Sequence, residues 1–340
     1  MKHPPPVPIP DILSSGCIFS TERFAPMLTV GFVISILIQV VLPIGLGYYL
    51  IRRYNSEWKI LGVGMLAYLL AQVVQTPIFQ SVADTQAYQQ MLTTWSPSLV
   101  IILFGFLAAL IENAARFGGF WLIREKGKAW GSALVMGAGH GGIEALMVGF
   151  QFLVNFVFAI SITTSGTQSM NLPPEEAAEL TRQVEAFWAL PWYLPLASAL
   201  QRLSALSLQL ALSVMMWLAV SRKLWIFALA ALLWHAALNA VAAAVSYAMP
   251  DVWNSILLVG VMLVNIAVIF LLYYKARETG PMEAPAPPAN LKGLSFLERE
   301  RERQPKPEEA ARSYKEVIEA KRARQKQLHD EEQGGDPEDK

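Results

Sequence analysis

Charge is scarce in this chain and cysteine is nearly absent. Of 340 residues only 16% are Asp, Glu, Lys or Arg, and 27 basic residues are matched by 27 acidic ones. A net charge of zero leaves no basic footprint, so no nucleic-acid partner is expected. The single Cys17 excludes an intramolecular disulfide and any cysteine-rich metal site. A basic region followed by an apolar core is missing from the start, so no cleavable signal peptide is expected. Pro4, Pro5, Pro6, Pro8 and Pro10 stand there instead, and the first apolar run begins near Met27. Residues 14–17 faintly resemble a lipobox, but no apolar stretch precedes them.

What the chain does have is hydrophobic length. Hydrophobic residues make up 54% of it. Runs of about 20 apolar residues point to transmembrane helices, not to a soluble core. Seven spans are predicted, at 27–51, 58–80, 98–123, 129–160, 191–220, 224–249 and 253–274. The expected fold is all-α, a polytopic transmembrane helix bundle in a prokaryotic plasma membrane. Basic residues set its orientation. Arg52, Arg53 and Lys59 lie in one loop, Arg124, Lys126 and Lys128 in another, Arg222 and Lys223 in a third, and Lys275 and Arg277 follow the last span. Loop 81–97 has no basic residue, and 161–190 has Arg182 against Glu175, Glu176, Glu179 and Glu185. An N-terminus outside and a C-terminus in the cytoplasm satisfies every loop. Three regions follow: a Pro-containing segment over 1–26, a membrane domain over 27–277, and a linker and tail over 278–340. The linker holds Pro285, Pro287 and Pro288, and Pro-rich chain is stiff and extended. The tail over 306–330 is charged, with too few apolar residues to bury a face. It reads as a disordered cytoplasmic tail, or as a helix that docks a cytoplasmic partner.

Inside the apolar spans sits a set of polar residues. The third span carries Glu112 and Arg116, the fourth His140 and Glu144, the sixth His235 and Asn239. Ionisable groups within a bilayer are costly and mark functional sites by default. At a rise of about 1.5 Å per residue, Glu112 lies roughly 18 Å from Arg124, His140 about 18 Å from Lys128, and His235 about 18 Å from Lys223. Gln209 lies about 20 Å from Arg222 and joins the same level. Each helix carries its pair at i,i+4, hence on one face. That spacing lets Glu112 pair with Arg116. Gly137, Gly139, Gly141 and Gly142 flank His140. They allow close helix approach and are expected to leave room beside the imidazole.

A tuned carboxylate can activate water, two imidazoles can orient it, and a carboxamide can donate to an oxyanion. Glu112, His140, Glu144 and His235 also offer enough ligands for zinc. Both a metal-free and a zinc-dependent hydrolysis therefore fit, with Arg116, Glu144 and Gln209 in support. Other classes remain open: a non-catalytic scaffold held by the same polar layer, or a proton-coupled transporter. Elsewhere, Arg202 reads as a snorkelling residue, and Asn155 and Asn265 as interhelical hydrogen-bonders. Trp188, Trp192, Tyr193, Tyr247 and Trp253 read as an interfacial belt.

The residues resemble a known group. Glu112-Asn113-Ala114-Ala115-Arg116 looks like the Glu-Glu-x-x-Arg motif of the CAAX-protease and bacteriocin-processing superfamily, with Asn113 at the second Glu. Met136-x-x-x-His140 resembles its Phe-x-x-x-His motif, and His235-x-x-x-Asn239 its His-x-x-x-Asn/Asp motif. The stretch Gly139-His140-Gly141-Gly142-Ile143-Glu144 resembles the YhfC family of intramembrane proteases, relatives of the PrsW proteases and of the Aph subunit of γ-secretase. The resemblance covers the third to sixth spans. It implies that Glu112 activates a water held by His140, that His235 and Asn239 form the oxyanion site, and that Arg116 orients Glu112 or Glu144. The substrate implied is a membrane-bound protein or peptide. The metal-free glutamate mechanism is favoured and no cofactor is required, with zinc as the alternative. Gln201-Arg202 stands where relatives are expected to carry Glu-Arg.

Overall fold

A computed structural model describes residues 26–124, 127–248, 251–279 and 282. The Pro-rich start, the lipobox-like residues 14–17, the Pro-rich linker and the charged tail lie outside the described residues. The described residues form nine α-helices and no strand. They are α1 Pro26–Tyr54, α2 Trp58–Ala83, α3 Gln86–Thr94, α4 Pro97–Leu122, α5 Trp130–Ser165, α6 Pro174–Trp188, α7 Leu194–Ser221, α8 Ile226–Ala248 and α9 Asp251–Glu278.

Six of them are long and apolar enough to cross a bilayer: α1, α2, α4, α5, α7 and α9. The seventh predicted span is α8, whose qualifying apolar stretch is the shorter Ile226–Ala242. Two regions predicted as loops contain helices. Thr85 caps α3, its hydroxyl accepting from the Tyr88 amide at 3.1 Å. Ser96 then caps α4 by accepting from the Leu99 amide, with Pro97 in the first turn. Capping side chains and an N-terminal Pro suit a helix start because the first amides lack intrahelical acceptors. Helix α6 opens on Pro174, Glu175 and Glu176, acids that favour a helix N-terminus. It packs Val184 and Phe187 towards Ala159 and Ile162 of α5.

Helix α7 is the axis of the bundle. Its apolar window is 83% buried, against 33% or less in the other five spans. It contacts α5, α9, α1, α8 and α4. The outer helices instead expose large apolar side chains such as Val73, Leu122 and Ile226. Such a surface is stable only against hydrocarbon, since a water-facing apolar patch of that extent would drive association.

Helix α5 lies between α2 and α7, and its glycines explain how. A Cβ on Gly139 would stand 2.1 Å from the Leu61 carbonyl oxygen of α2. One on Gly64 of α2 would stand 2.2 Å from the Met136 oxygen. On the opposite face, a Cβ on Gly137 would meet Leu210 Cα at 2.9 Å, and one on Gly141 would meet Gln209 Cβ at 2.8 Å. The glycines therefore bring three backbones together. At these three α5 positions no room is left, in contrast to the expectation, and His140 is fully buried. Replacing Gly139 with Ala should force two backbones apart and cost about 1–3 kcal/mol. It should lower the thermal unfolding temperature in detergent, while Gly62→Ala, which faces open space, leaves it unchanged.

Candidate functional site

Helix α4 buries Ala109, Glu112, Asn113, Arg116 and Phe120. These positions recur at helical spacing, so one stripe faces inward. Towards it α5 presents His140 and Glu144, α7 Arg202 and Gln209, and α8 His235 and Asn239. Four helices thus bring the predicted polar residues to one place. Glu112 Oε2 lies 3.6 Å from His140 Nε2 and 3.8 Å from His235 Nε2. That oxygen is buried and has no hydrogen-bond partner, and neither ring nitrogen of His140 has one. Tyr68 of α2 meets the His140 ring edge-on, with centroids 5.4 Å apart.

Around this centre runs a continuous chain of hydrogen bonds. Asn113 Nδ2 lies 3.1 Å from His235 Nδ1 and donates to the Ala109 carbonyl at 2.8 Å. Arg116 donates to Asn113 Oδ1 at 3.0 Å and to Gln209 Oε1. Gln209 donates to Glu144 Oε2 at 2.8 Å, and Arg202 to Glu144 Oε1 at 2.9 Å. Two guanidiniums therefore stand among two carboxylates, which keeps the buried layer formally neutral.

Several expectations change on this geometry. Arg116 does not pair with Glu112. Two carboxamides accept from it instead, Asn113 three residues back on the same helix and Gln209 on α7. Arg202 does not snorkel: it is an ion-pair partner of Glu144, with a side chain only 17% exposed. Glu144 accordingly serves Arg202 and Gln209, not His140. Asn239 lines the site and donates to the Gly105 carbonyl at 3.1 Å, joining α8 to α4. Asn265 makes the expected interhelical bond, to Ser207 at 3.2 Å. Asn155 accepts within its own helix, from Gln151. Of the aromatic belt, Trp188 donates to Thr163, while the Tyr247 and Trp253 side chains lie outside the described residues. Asn113 and Tyr68 carry contacts that sequence reasoning did not assign. The departure from the Glu-Glu-x-x-Arg pattern was the one signal at Asn113.

A cavity of about 180 Å³ opens beside this centre. Glu112, His235, Asn239 and Arg202 give it a polar end, and Leu238, Leu257, Leu258 and Val261 an apolar wall. At roughly 30 Å³ per water it has space for water and a short stretch of substrate. A larger cavity, about 410 Å³, lies between the end of α5 and α6. It contains no imidazole, and Glu185 is its one carboxylate.

A family model described as "YhfC intramembrane metalloprotease" matches residues 38–263, from α1 into α9. The chain belongs to the YhfC family. The match includes all of the polar layer and reaches beyond the four spans in which the motifs lie. A Bacillus subtilis (strain 168) protein described as "Uncharacterized membrane protein YhfC" is 26% identical over 205 residues, covering 59% of this chain and 79% of the relative. No solved structure matches. The protein is thus an integral membrane protein of a family described as intramembrane proteases.

The family description implies a metal. Three donors, a carboxylate and two imidazoles, are the number that a catalytic zinc uses. Two tetrahedral ligands at 2.0–2.1 Å from zinc stand about 3.3–3.4 Å apart, and the 3.6 and 3.8 Å here are within a small side-chain movement of that spacing. Among the described residues no group of three or more His, Cys, Asp or Glu is arranged to hold an ion. The other nitrogen of His235 faces an amide N–H, not the acceptor that ordinarily backs a metal-bound imidazole. It is the N–H behind His235, and not the spacing of the donors, that fits a metal poorly.

The buried arginine should be essential to the layer. Arg116→Met leaves Asn113 and Gln209 without a donor and the carboxylates undercompensated, costing about 3–5 kcal/mol. Thermal unfolding in detergent should show that loss. Lys275→Met, which breaks an exposed pair with Glu278, should cost about 0–1 kcal/mol.

Proposed function

We propose that the protein is an intramembrane endopeptidase of the glutamate type, acting on a membrane-bound protein or peptide. The observation that carries this reading is Glu112 Oε2, a buried, partnerless carboxylate oxygen facing two imidazole nitrogens beside a cavity. A water in the cavity at hydrogen-bond distance from Glu112 is placed for deprotonation by the carboxylate, with the buried His140 imidazole behind that carboxylate. Its oxygen attacks the scissile carbonyl carbon, and the C–O double bond becomes an oxyanion. His235 and the second N–H of Asn239 donate to that oxyanion. Glu112 then passes its proton to the departing amide nitrogen as the C–N bond breaks. Arg116 contributes through Asn113 and Gln209 instead of touching Glu112. The apolar wall suits a hydrophobic segment entering between helices.

The family description favours a second reading, zinc-dependent hydrolysis with Glu112, His140 and His235 as ligands. Glu144, engaged by Arg202 and Gln209, is less suited to ligation. Within the first reading we place the chain near the CAAX-protease and PrsW groups and the Aph subunit. We orient it with the N-terminus outside and the tail available to a cytoplasmic partner.

Glu112→Gln keeps the size of the side chain and removes the base. It should reduce cleavage of membrane-protein substrates by at least about 100-fold, with membrane insertion and thermal stability retained. Unchanged cleavage would refute the role of Glu112, and a stable partner complex without any proteolysis would favour the scaffold. The metal has a separate test. Activity that persists after exhaustive chelation, with no zinc by elemental analysis, supports the glutamate type, and loss restored by zinc overturns it.

A further inference from the structure

We infer that Asn113 fixes His235 as the tautomer protonated on Nε2, so that His235 faces the site as a hydrogen-bond donor and not as a metal ligand. The inference deepens the hydrolytic reading by assigning the polarity of its oxyanion site, and it names Asn113 as a positioning residue.

Obligate donors and acceptors fix where the proton sits. An arginine has donors alone, and a backbone carbonyl only accepts. Arg116 Nη1 stands 3.0 Å from one end of the Asn113 amide, so that end is the oxygen. The Ala109 carbonyl stands 2.8 Å from the other end, so that end is the nitrogen. Turning the amide over would set NH₂ against a guanidinium and oxygen against oxygen. The orientation is therefore dictated by chemistry at both ends. Nδ2 carries two hydrogens: one goes to the Ala109 carbonyl, and the other points at His235 Nδ1, 3.1 Å away. Nδ1 must accept. A neutral imidazole whose Nδ1 accepts carries its proton on Nε2.

That Nε2 faces Glu112 Oε2 across 3.8 Å, too far for a direct bond. A small oxygen group beside the pair can reach both, accepting from Nε2–H. The same N–H leaves no lone pair on Nε2 for a metal. Metal-bound imidazoles are backed by an acceptor that takes their remaining N–H, and Asn113 presents the opposite. A carboxylate at position 113 would reverse the arrangement: it would accept from Nδ1–H and free the Nε2 lone pair. Arg116, fully buried behind Asn113, makes the choice firm because its charge cannot accept.

The test is spectroscopic and does not use hydrolysis. Full-length protein labelled with ¹⁵N-histidine contains four imidazoles: His3, His140, His235 and His329. Loss of one set in His235→Gln assigns the resonances. In the unsubstituted protein in detergent, His235 should show an unprotonated Nδ1 and a proton-bearing Nε2. Zinc added alone should leave both in place. In Asn113→Asp the proton should move to Nδ1, and zinc should then shift the His235 signals, binding about 10- to 100-fold tighter than in the unsubstituted protein. A proton on Nδ1 of the unsubstituted protein overturns the inference, as does a zinc-induced shift of its His235 Nε2. Should Asn113→Asp not fold, the unsubstituted spectrum decides alone. An Nε2–H tautomer in a protein that cleaves nothing would uphold the inference and refute the protease reading. An Nδ1–H tautomer in an active protease would do the reverse.

Discussion

The polar interior depends on one buried guanidinium. Arg116 has no exposed surface, and a cation in that position needs acceptors that hydrocarbon cannot provide. It takes Asn113 on its own helix and Gln209 on α7. Because arginine can only donate, each carboxamide must turn its oxygen inward and its NH₂ outward. Asn113 then donates towards His235, and Gln209 donates to Glu144. The direction of the hydrogen bonds across four helices is thus set at one residue. The guanidinium Nε of Arg116 and that of Arg202 have no hydrogen-bond partner, so each remaining bond of the layer carries more of the cost of burying these charges.

This network requires α4, α5, α7 and α8 to meet closely, and the glycines of α5 make that geometry available. His140 and Glu144 sit between α2 and α7 at a separation that any side chain on Gly137, Gly139 or Gly141 would prevent. The site is accordingly built on rigid, mutually packed helices. That is where a constellation must stand if its atoms are to be held to a few tenths of an ångström.

How much of this could be read from sequence varies with the physics involved. Long apolar runs are nearly sufficient evidence for membrane helices, and six of the seven predicted spans match helices long and apolar enough to cross a bilayer, to within about five residues. Helices α3 and α6 were not, because they are short and polar and carry no apolar run. The level of the polar layer followed from helical rise, since Glu112, His140 and His235 do converge. Partners within the layer were not legible. The i,i+4 spacing of Glu112 and Arg116 permits a pair, but spacing along one helix says nothing about a better acceptor on another. Arg202 was misread for the same reason, since nothing local to α7 reveals Glu144 opposite. Gly139 could announce close packing without saying which backbone would fill the space.

Asn113 shows what a carboxamide does beside a buried arginine where a carboxylate would act otherwise. Exchanging a carboxylate for a carboxamide removes a charge, and it also changes an acceptor into a group that must donate on one side. Beside Arg116 that side is fixed, so the change reaches His235 as a reversal of polarity. Glu112 gains from this. With His235 presenting N–H and His140 left without a hydrogen-bonding partner on either nitrogen, Glu112 is the one carboxylate of the centre not engaged by an arginine or a carboxamide. A base must keep its lone pairs for the proton it will take. The arginines of this layer are directed at Glu144 and the amides, and that leaves Glu112 free to serve as the base.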